Sequence, residues 1–224
     1  MKLICMGDST MQYNDETTFP QVGWPQALAE LLKKEVFLMN FAKNGRSTKT
    51  FMNEGRFEDA LRFTDKESIV LIEFGHNDEH DYDPKTHTLP DGEYYDNLKY
   101  MVTECKKKGA YVILLTPIYR RMFLENGKMD PKCHAGYREA VLKVGKDTDT
   151  KVVDLTSLTE KKLEEVGYED SREFFMNFDA GIYENYPEGK NDNTHLRMKG
   201  AEMVRDLFLK EMQDDLKFKE YLNV

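Results

Sequence analysis

Residues 68–78 read Ser-Ile-Val-Leu-Ile-Glu-Phe-Gly-His-Asn-Asp, or SIVLIEFGHND. The first seven are almost continuously apolar and rich in β-branched side chains; a glycine then stops the run and a polar cluster follows. A run this short and this unbroken reads as a strand covered on both faces, because a half-buried strand would alternate and a helix would need more length. The same pattern recurs along the chain. KLICM (2–6) runs into GDST, VFLMNFA (36–42) into KNGRSTK, and AYVILLT (110–116) into PIYRR, with KVVDL (151–155) as a fifth run.

Between these runs lie amphipathic helical patterns. WPQALAELLKK (24–34) places Leu28, Leu31 and Leu32 on one face, and YYDNLKYMVTECKKKG (94–109) closes with lysines and a glycine, the expected helix stop. REAVLKVGKD, TSLTEKKLEEVG and a C-terminal MKGAEMVRDLFLKEM supply three more. Apolar strands alternating with helices predict a parallel sheet covered on both faces, here a five-stranded α/β/α sandwich. A chain of 224 residues without a repeat, a low-complexity tract or a Ser/Gly linker fits one domain, 1–224.

The totals exclude several classes. A net charge of −9 opposes general binding to nucleic acid or anionic membranes. No apolar run approaches the roughly 20 residues that would span a bilayer. The first run enters the GDST turn at once, leaving no room for a signal-peptide core and cleavage site, so a cytoplasmic protein is expected. Cys5, Cys105 and Cys133 cannot all pair and lack metal-site spacing, so reduced thiols are expected. Neither G-x-G-x-x-G nor a P-loop is present, GRSTKT (45–50) lacks the leading glycine of the latter, and the G-x-S-x-G elbow is missing.

In a sheet of this kind ligands bind at the carboxyl ends of the strands, so the polar clusters are the place to look for chemistry. Ser9 stands in the turn after the first run, where Gly, Asp and Ser also serve turn geometry and helix capping. A nucleophilic serine needs a base, a carboxylate that orients the base, and donors for an oxyanion. His195 in NDNTHLRMKG has Asp192 three residues before it. In a turn entering a helix near Leu196 both side chains could face one way and Asp192 could accept from the histidine Nδ1; Asp192 or Asn193 could equally cap that helix. Gly45 would let a backbone N–H approach a substrate, and Asn77 offers an amide that donates at any pH, although Asn-Gly and Asn-Asp are also common turn pairs.

Taken together, GDS, an isolated glycine, GxND and DxxH resemble the four blocks of the SGNH, or GDSL-type, hydrolase superfamily, in Ser9, Gly45, Asn77 and His195. The resemblance covers nearly the whole chain. It implies Ser9 as nucleophile, His195 as base, Asp192 as the triad acid, and an oxyanion hole from the Ser9 and Gly45 N–H groups with the Asn77 amide. GDSTM, NGRST, FGHND, TPIYRRMFLENGK and DNTHL further resemble the rhamnogalacturonan acetylesterase family of carbohydrate esterases. That implies removal of O-acetyl groups from a pectin-derived sugar, with no cofactor and no metal. Acetylated xylan fragments, or lipid or thioester substrates, are the alternatives.

Arg120 and Arg121 follow the fourth run and could meet a galacturonate carboxylate, or pair with a surface acid such as Glu125; Arg46 is a similar candidate. His76 could line the acetyl pocket or hydrogen-bond within its turn. Glu79, Asp81 and Asp83 read as a solvated loop rather than a calcium site. The aromatic-rich stretch 174–191 reads as a long loop, either a sugar-facing wall or plain packing. With no leader expected, the predicted partner is a short acetylated oligosaccharide.

Overall fold

The computed structural model describes residues 1–223. Five parallel strands, β1 (Lys2–Gly7), β2 (Phe37–Asn40), β3 (Ser68–Glu73), β4 (Tyr111–Leu115) and β5 (Lys151–Val153), lie in the order β2-β1-β3-β4-β5. Eight helices follow in chain order: α1 (Trp24–Ala29), α2 (Thr48–Asn53), α3 (Arg56–Phe63), α4 (Glu93–Lys107), α5 (Tyr137–Asp147), α6 (Leu155–Val166), α7 (Met198–Glu211) and α8 (Leu216–Lys219). A separate antiparallel pair, β6 (Phe175–Phe178) and β7 (Lys190–Leu196), stands beside the main sheet.

Alternate side chains of each central strand enter two different cores. Leu3, Cys5, Ile69, Leu71, Ile113 and Leu115 pack with Trp24, Leu163 and Phe208 from α1, α6 and α7. Ile4, Met6, Val70, Ile72, Val112 and Leu114 pack on the other face with Phe51, Phe57, Leu98 and Val141 from α2 to α5. This two-sided burial explains why β3 carries no polar alternation; all six of its residues are buried. Truncating one of them, such as Leu71, to alanine is expected to cost about 2–5 kcal/mol.

Two elements differ from the sequence expectation. α1 ends at Ala29 instead of running to residue 34. The backbone beyond it turns to pair with the C-terminus, with Lys33 N–H donating to Tyr221 and Asn223 N–H donating to Leu31. The stretch 174–191 is not a plain loop: a 3₁₀ turn (Asp170–Phe174) leads into β6, and β7 returns through residue 196. The expected turn into a helix near Leu196 is therefore a strand, and α7 starts only at Met198.

Candidate active site

The carboxyl ends of β1 and β3 meet without a gap. A Cβ on Gly7 would lie 2.7 Å from the Glu73 carbonyl oxygen, so only glycine fits where the chain leaves β1. The chain then coils once, with Gln12 N–H donating to the Asp8 carbonyl at 3.1 Å, and leaves Ser9 on the turn. Asn40 Nδ2 donates to the Met11 carbonyl at 2.7 Å, and the Asn44 N–H donates to Gln12 Oε1 at 2.6 Å. These bonds tie the loop after β2 to the Ser9 turn. Gly45 sits in that loop at φ +76°, a conformation that favours glycine, and a Cβ there would meet nothing within 4 Å. Asn77 Nδ2 donates to the Arg46 carbonyl at 3.1 Å, which brings the Asn77 amide beside the Gly45 turn and leaves its second N–H without a partner among the described residues.

Asp192 and His195 arrive from β7. The ladder pairs Phe175 with Leu196 but Asn177 with Asn191, so residues 192–195 bulge out of the pair, a device that re-aims side chains. Asn177 Nδ2 holds the bulge through the Asp192 carbonyl and Asn193 Oδ1, at 3.0 and 2.7 Å. Asp192 Oδ1 accepts from the N–H groups of Thr194 and His195, and Oδ2 lies 2.7 Å from His195 Nδ1. Burial opposes the charge on Asp192, yet the bond and charge of His195 and the two backbone donors outweigh it and pull the carboxyl down to about 2. Asp192 thus stays ionised, accepts from Nδ1–H, and fixes the tautomer whose Nε2 carries the lone pair.

Ser9, Gly45, Asn77, Asp192 and His195 line one pocket of about 550 Å³, together with Gln21, Asn44, His76, His80, Arg120 and Lys190. Among the described residues no hydrogen bond joins Ser9 Oγ to His195, whose Nδ1 is held by Asp192; such contacts tighten when substrate binds. Three buried side-chain polar atoms of the described residues lack a partner: Gln21 Nε2, Asn44 Oδ1 and His76 Nε2. All three belong to residues of this pocket. Orphaned buried polar groups are costly, and here they are concentrated in residues that line one pocket.

Under the pocket lies a second Asp–His pair. His76 Nδ1 is 3.2 Å from Asp8 Oδ2, with side chains 2% and 0% exposed. Asp8 Oδ1 also accepts from the Thr10 N–H at 3.0 Å. Burial opposes the Asp8 charge, but His76 and the Thr10 bonds hold the carboxyl below its usual range. The Thr10 hydroxyl lies 2.9 Å from Asp8 Oδ1 and 3.1 Å from Glu73 Oε1. It has one hydrogen to give, so the two carboxyls compete for it. Burial and the charge of Asp8 push Glu73 up to about 8, which favours its protonated form beside the charged Asp8. Trp24 Nε1 caps its other oxygen at 2.7 Å.

The candidate arginines divide. Arg120 lines the pocket, but its guanidinium pairs with Glu79 and donates to the His76 carbonyl at 2.9 Å. Its acid is therefore Glu79 and not Glu125, and Glu79 is not a solvated residue. Glu79 also holds His134 at 2.9 Å, whose Nε2 donates to the Ile118 carbonyl. Burial opposes charge on His134, yet Cys133 and Glu79 outweigh it and lift the ring to about 9. Arg121 differs from expectation: it is 5% exposed, stacks 4.0 Å from the Tyr168 ring centre, and donates to Ser171 Oγ, Asn193 Oδ1 and the Tyr168 carbonyl. With its N–H on the Asn193 carbonyl at 2.9 Å, Arg121 braces the bulge and is not placed in the Ser9 pocket. Arg46 pairs with Glu54 at 2.9 Å and donates to the Asn44 carbonyl at 2.8 Å, while its own carbonyl accepts from Asn77, so it braces the loop after β2. Sequence reasoning missed Asp8, Glu73 and His134; the aspartate before Ser9 was in view, but its partner lies 68 positions away.

The GDSL-like Lipase/Acylhydrolase family profile matches residues 5–202. The chain belongs to that family. It is a carboxylic ester hydrolase. A rhamnogalacturonan acetylesterase of Bacillus subtilis (strain 168), RhgT, is 32% identical over 223 residues, covering 99% of this chain and 94% of the relative. The crystal structure of Bacillus subtilis YxiM superposes with a TM-score of 0.80 at 24% identity, over 95% of this chain and 56% of that one. The acetylxylan esterase Axe2 of Geobacillus stearothermophilus does so with a TM-score of 0.66 at 21% identity, covering 94% and 93%. These two likenesses agree with the three-layer α/β/α arrangement of the fold. Among the described residues no helix is long and apolar enough to cross a membrane.

Proposed function

We propose that this GDSL-family hydrolase removes O-acetyl groups from pectin-derived, rhamnogalacturonan-type oligosaccharides through a Ser9–His195–Asp192 acyl-enzyme mechanism. The observation that carries the substrate class is the 32% identity, across 99% of the chain, to a protein named for that activity. The polar pocket supports it, since a long acyl chain would need an apolar groove where Asn44, Asn77, Arg120 and Lys190 stand.

In this mechanism His195 Nε2 takes the Ser9 proton as Oγ bonds to the acetyl carbon. The carbonyl electrons move onto the oxygen, where the N–H groups of Ser9 and Gly45 and the second Asn77 N–H receive them. Collapse breaks the bond to the sugar oxygen, which leaves with the proton from His195. Water, deprotonated by the same histidine, then attacks the acetyl carbon; collapse breaks its bond to Ser9 Oγ, which takes the proton back from His195, and acetate leaves. Asp192 remains ionised throughout and stabilises the imidazolium.

The test is acetate release from acetylated rhamnogalacturonan and xylan oligosaccharides, with acetyl and octanoyl esters of one alcohol alongside. The expected order is rhamnogalacturonan above xylan and acetyl far above octanoyl, with Ser9→Ala abolishing all of it. Equal or faster octanoyl hydrolysis would overturn the acetylesterase reading, xylan preference would move the sugar, and an active Ser9→Ala would remove the site assignment.

A further inference from the structure

A second cleft, of about 660 Å³, adjoins the catalytic pocket and shares Gln21 with it. One wall is the segment 13–22 and the other the segment 182–185. Tyr13 (65% exposed), Phe19 (55%), Ile182 (60%) and Met198 (44%) all line it, four of the thirteen exposed large hydrophobic side chains among the described residues. Such clustering of exposed apolar side chains marks a binding surface, whereas single exposures need no explanation.

The walls are braced against each other. Asn185 Nδ2 donates to the carbonyls of Glu16 and Phe19 at 2.7 and 2.9 Å, and the Phe19 and Tyr183 rings meet edge to face at 5.6 Å. A cleft held open in this way loses little entropy on filling. Its charged side chains are Asp15, Glu16 and Glu184, all acidic, so a carboxylate-bearing sugar is disfavoured there. The cleft on the other side of the pocket, reached across Lys190, is lined by charges of both signs, among them the Arg172–Asp179 pair at 2.7 Å.

We propose that the Tyr13–Phe19 cleft is a saccharide subsite that holds a neutral pyranose of the substrate next to the acetylated residue, its ring face on the aromatic side chains. The junction is Gln21, which lines both spaces; its buried Nε2 has no partner among the described residues, and a turn of this side chain would offer that donor to a sugar hydroxyl. This rests on the acetyl-saccharide function proposed above and adds the direction in which the chain lies.

The experiment compares kcat/KM for an acetylated rhamnogalacturonan oligosaccharide with kcat/KM for p-nitrophenyl acetate, in the wild type and in Tyr13→Ala, Phe19→Ala and Tyr13→Phe. The ratio is expected to fall about tenfold in each alanine variant, mainly through KM, and to stay near the wild-type value in Tyr13→Phe, which keeps the ring. Phe19 leans on Tyr183 and its loss could disturb the loop; Tyr13 is largely exposed and tests the subsite without that risk. An unchanged ratio in Tyr13→Ala overturns the subsite while leaving the esterase function standing. A wild type that releases acetate from p-nitrophenyl acetate and from no saccharide overturns the proposed function, and the subsite with it.

Discussion

Two Asp–His pairs flank the Ser9 turn, and they differ chiefly in their access to water. Asp192 and His195 stand on a bulge with side chains 18% and 29% exposed; Asp8 and His76 are sealed at 0% and 2%. In each, a carboxylate faces Nδ1. A general base must become an imidazolium for part of every turnover, and burial makes that state costly. Burial holds His76 down at about 4, despite the pull of Asp8, so near neutral pH it remains an uncharged ring donating to Asp8. Pairing therefore does not by itself make a catalytic dyad; solvent access favours the proton-transfer role proposed for His195 and leaves His76 to hold two loops together. Residue 8 precedes the proposed nucleophile and residue 76 precedes Asn77, the proposed oxyanion donor, so the Asp8–His76 bond sets one against the other.

The largest effect should come from exchanging the two histidines' fates. His195→Ala is expected to lower kcat by about 10⁴-fold or more, whereas His76→Asn, which keeps an amide N–H near the Nδ1 position, should cost about tenfold or less. Equal losses in steady-state kinetics would break the distinction. The acids should follow the same order. Asp192→Asn removes the charge that stabilises the imidazolium and should reduce kcat about 10³- to 10⁴-fold. Asp8→Asn should cost about 10- to 100-fold in kcat with KM within about threefold, because it displaces an oxyanion donor and leaves substrate binding in place. A KM rise without a kcat loss in Asp8→Asn would instead make the buried pair a substrate-binding element.

The buried half of this comparison was the harder half to read from sequence. The sheet was legible because IVLI and ILL runs report two-sided burial directly, and the strand-end rule then pointed at Ser9, Gly45 and Asn77. β7 was not legible: KNDNTH is polar up to the buried Leu196, so it shows no strand pattern, and its bulge is fixed by Asn177 and Arg121 from elsewhere in the chain. Buried acids were hidden for a related reason. Glu73 stands inside the apolar run 68–74 with nothing nearby in sequence to pair it, yet Trp24, 49 positions away, caps it inside the protein. Polar burial depends on partners that only the fold brings together.

Arg121 connects the open pair to that hidden scaffold. Arg121→Lys keeps the charge but cannot serve Ser171, Asn193 and the Tyr168 carbonyl at once. Loss of such buried bonds should cost about 1–3 kcal/mol in urea unfolding, and a looser bulge should lower kcat about 3- to 10-fold. A KM rise for uronate-bearing substrates, with stability unchanged, would restore Arg121 to the role that the sequence suggested.

The smallest expected effect is the pH dependence of stability, and it separates the buried histidines by sign. His76 has a folded value of about 4 against 6.5 when free. Between those values the unfolded chain binds a proton that the native protein refuses, so the contribution of His76 is present above pH 6.5 and is lost as pH falls toward 4. His134 is the reverse. Lifted to about 9 beside Glu79 and Cys133, it contributes below pH 6.5 and loses that contribution as pH rises through 9. Melting temperatures of His76→Asn should therefore fall less steeply than wild type on the acid limb alone, by a few degrees, with Asp8, Glu73, Glu79 and Arg120 left in place around it. His134→Gln should flatten only the alkaline limb. If His76→Asn changes the alkaline limb instead, His76 is charged in the folded protein, and the two Asp–His pairs then differ in place but not in state.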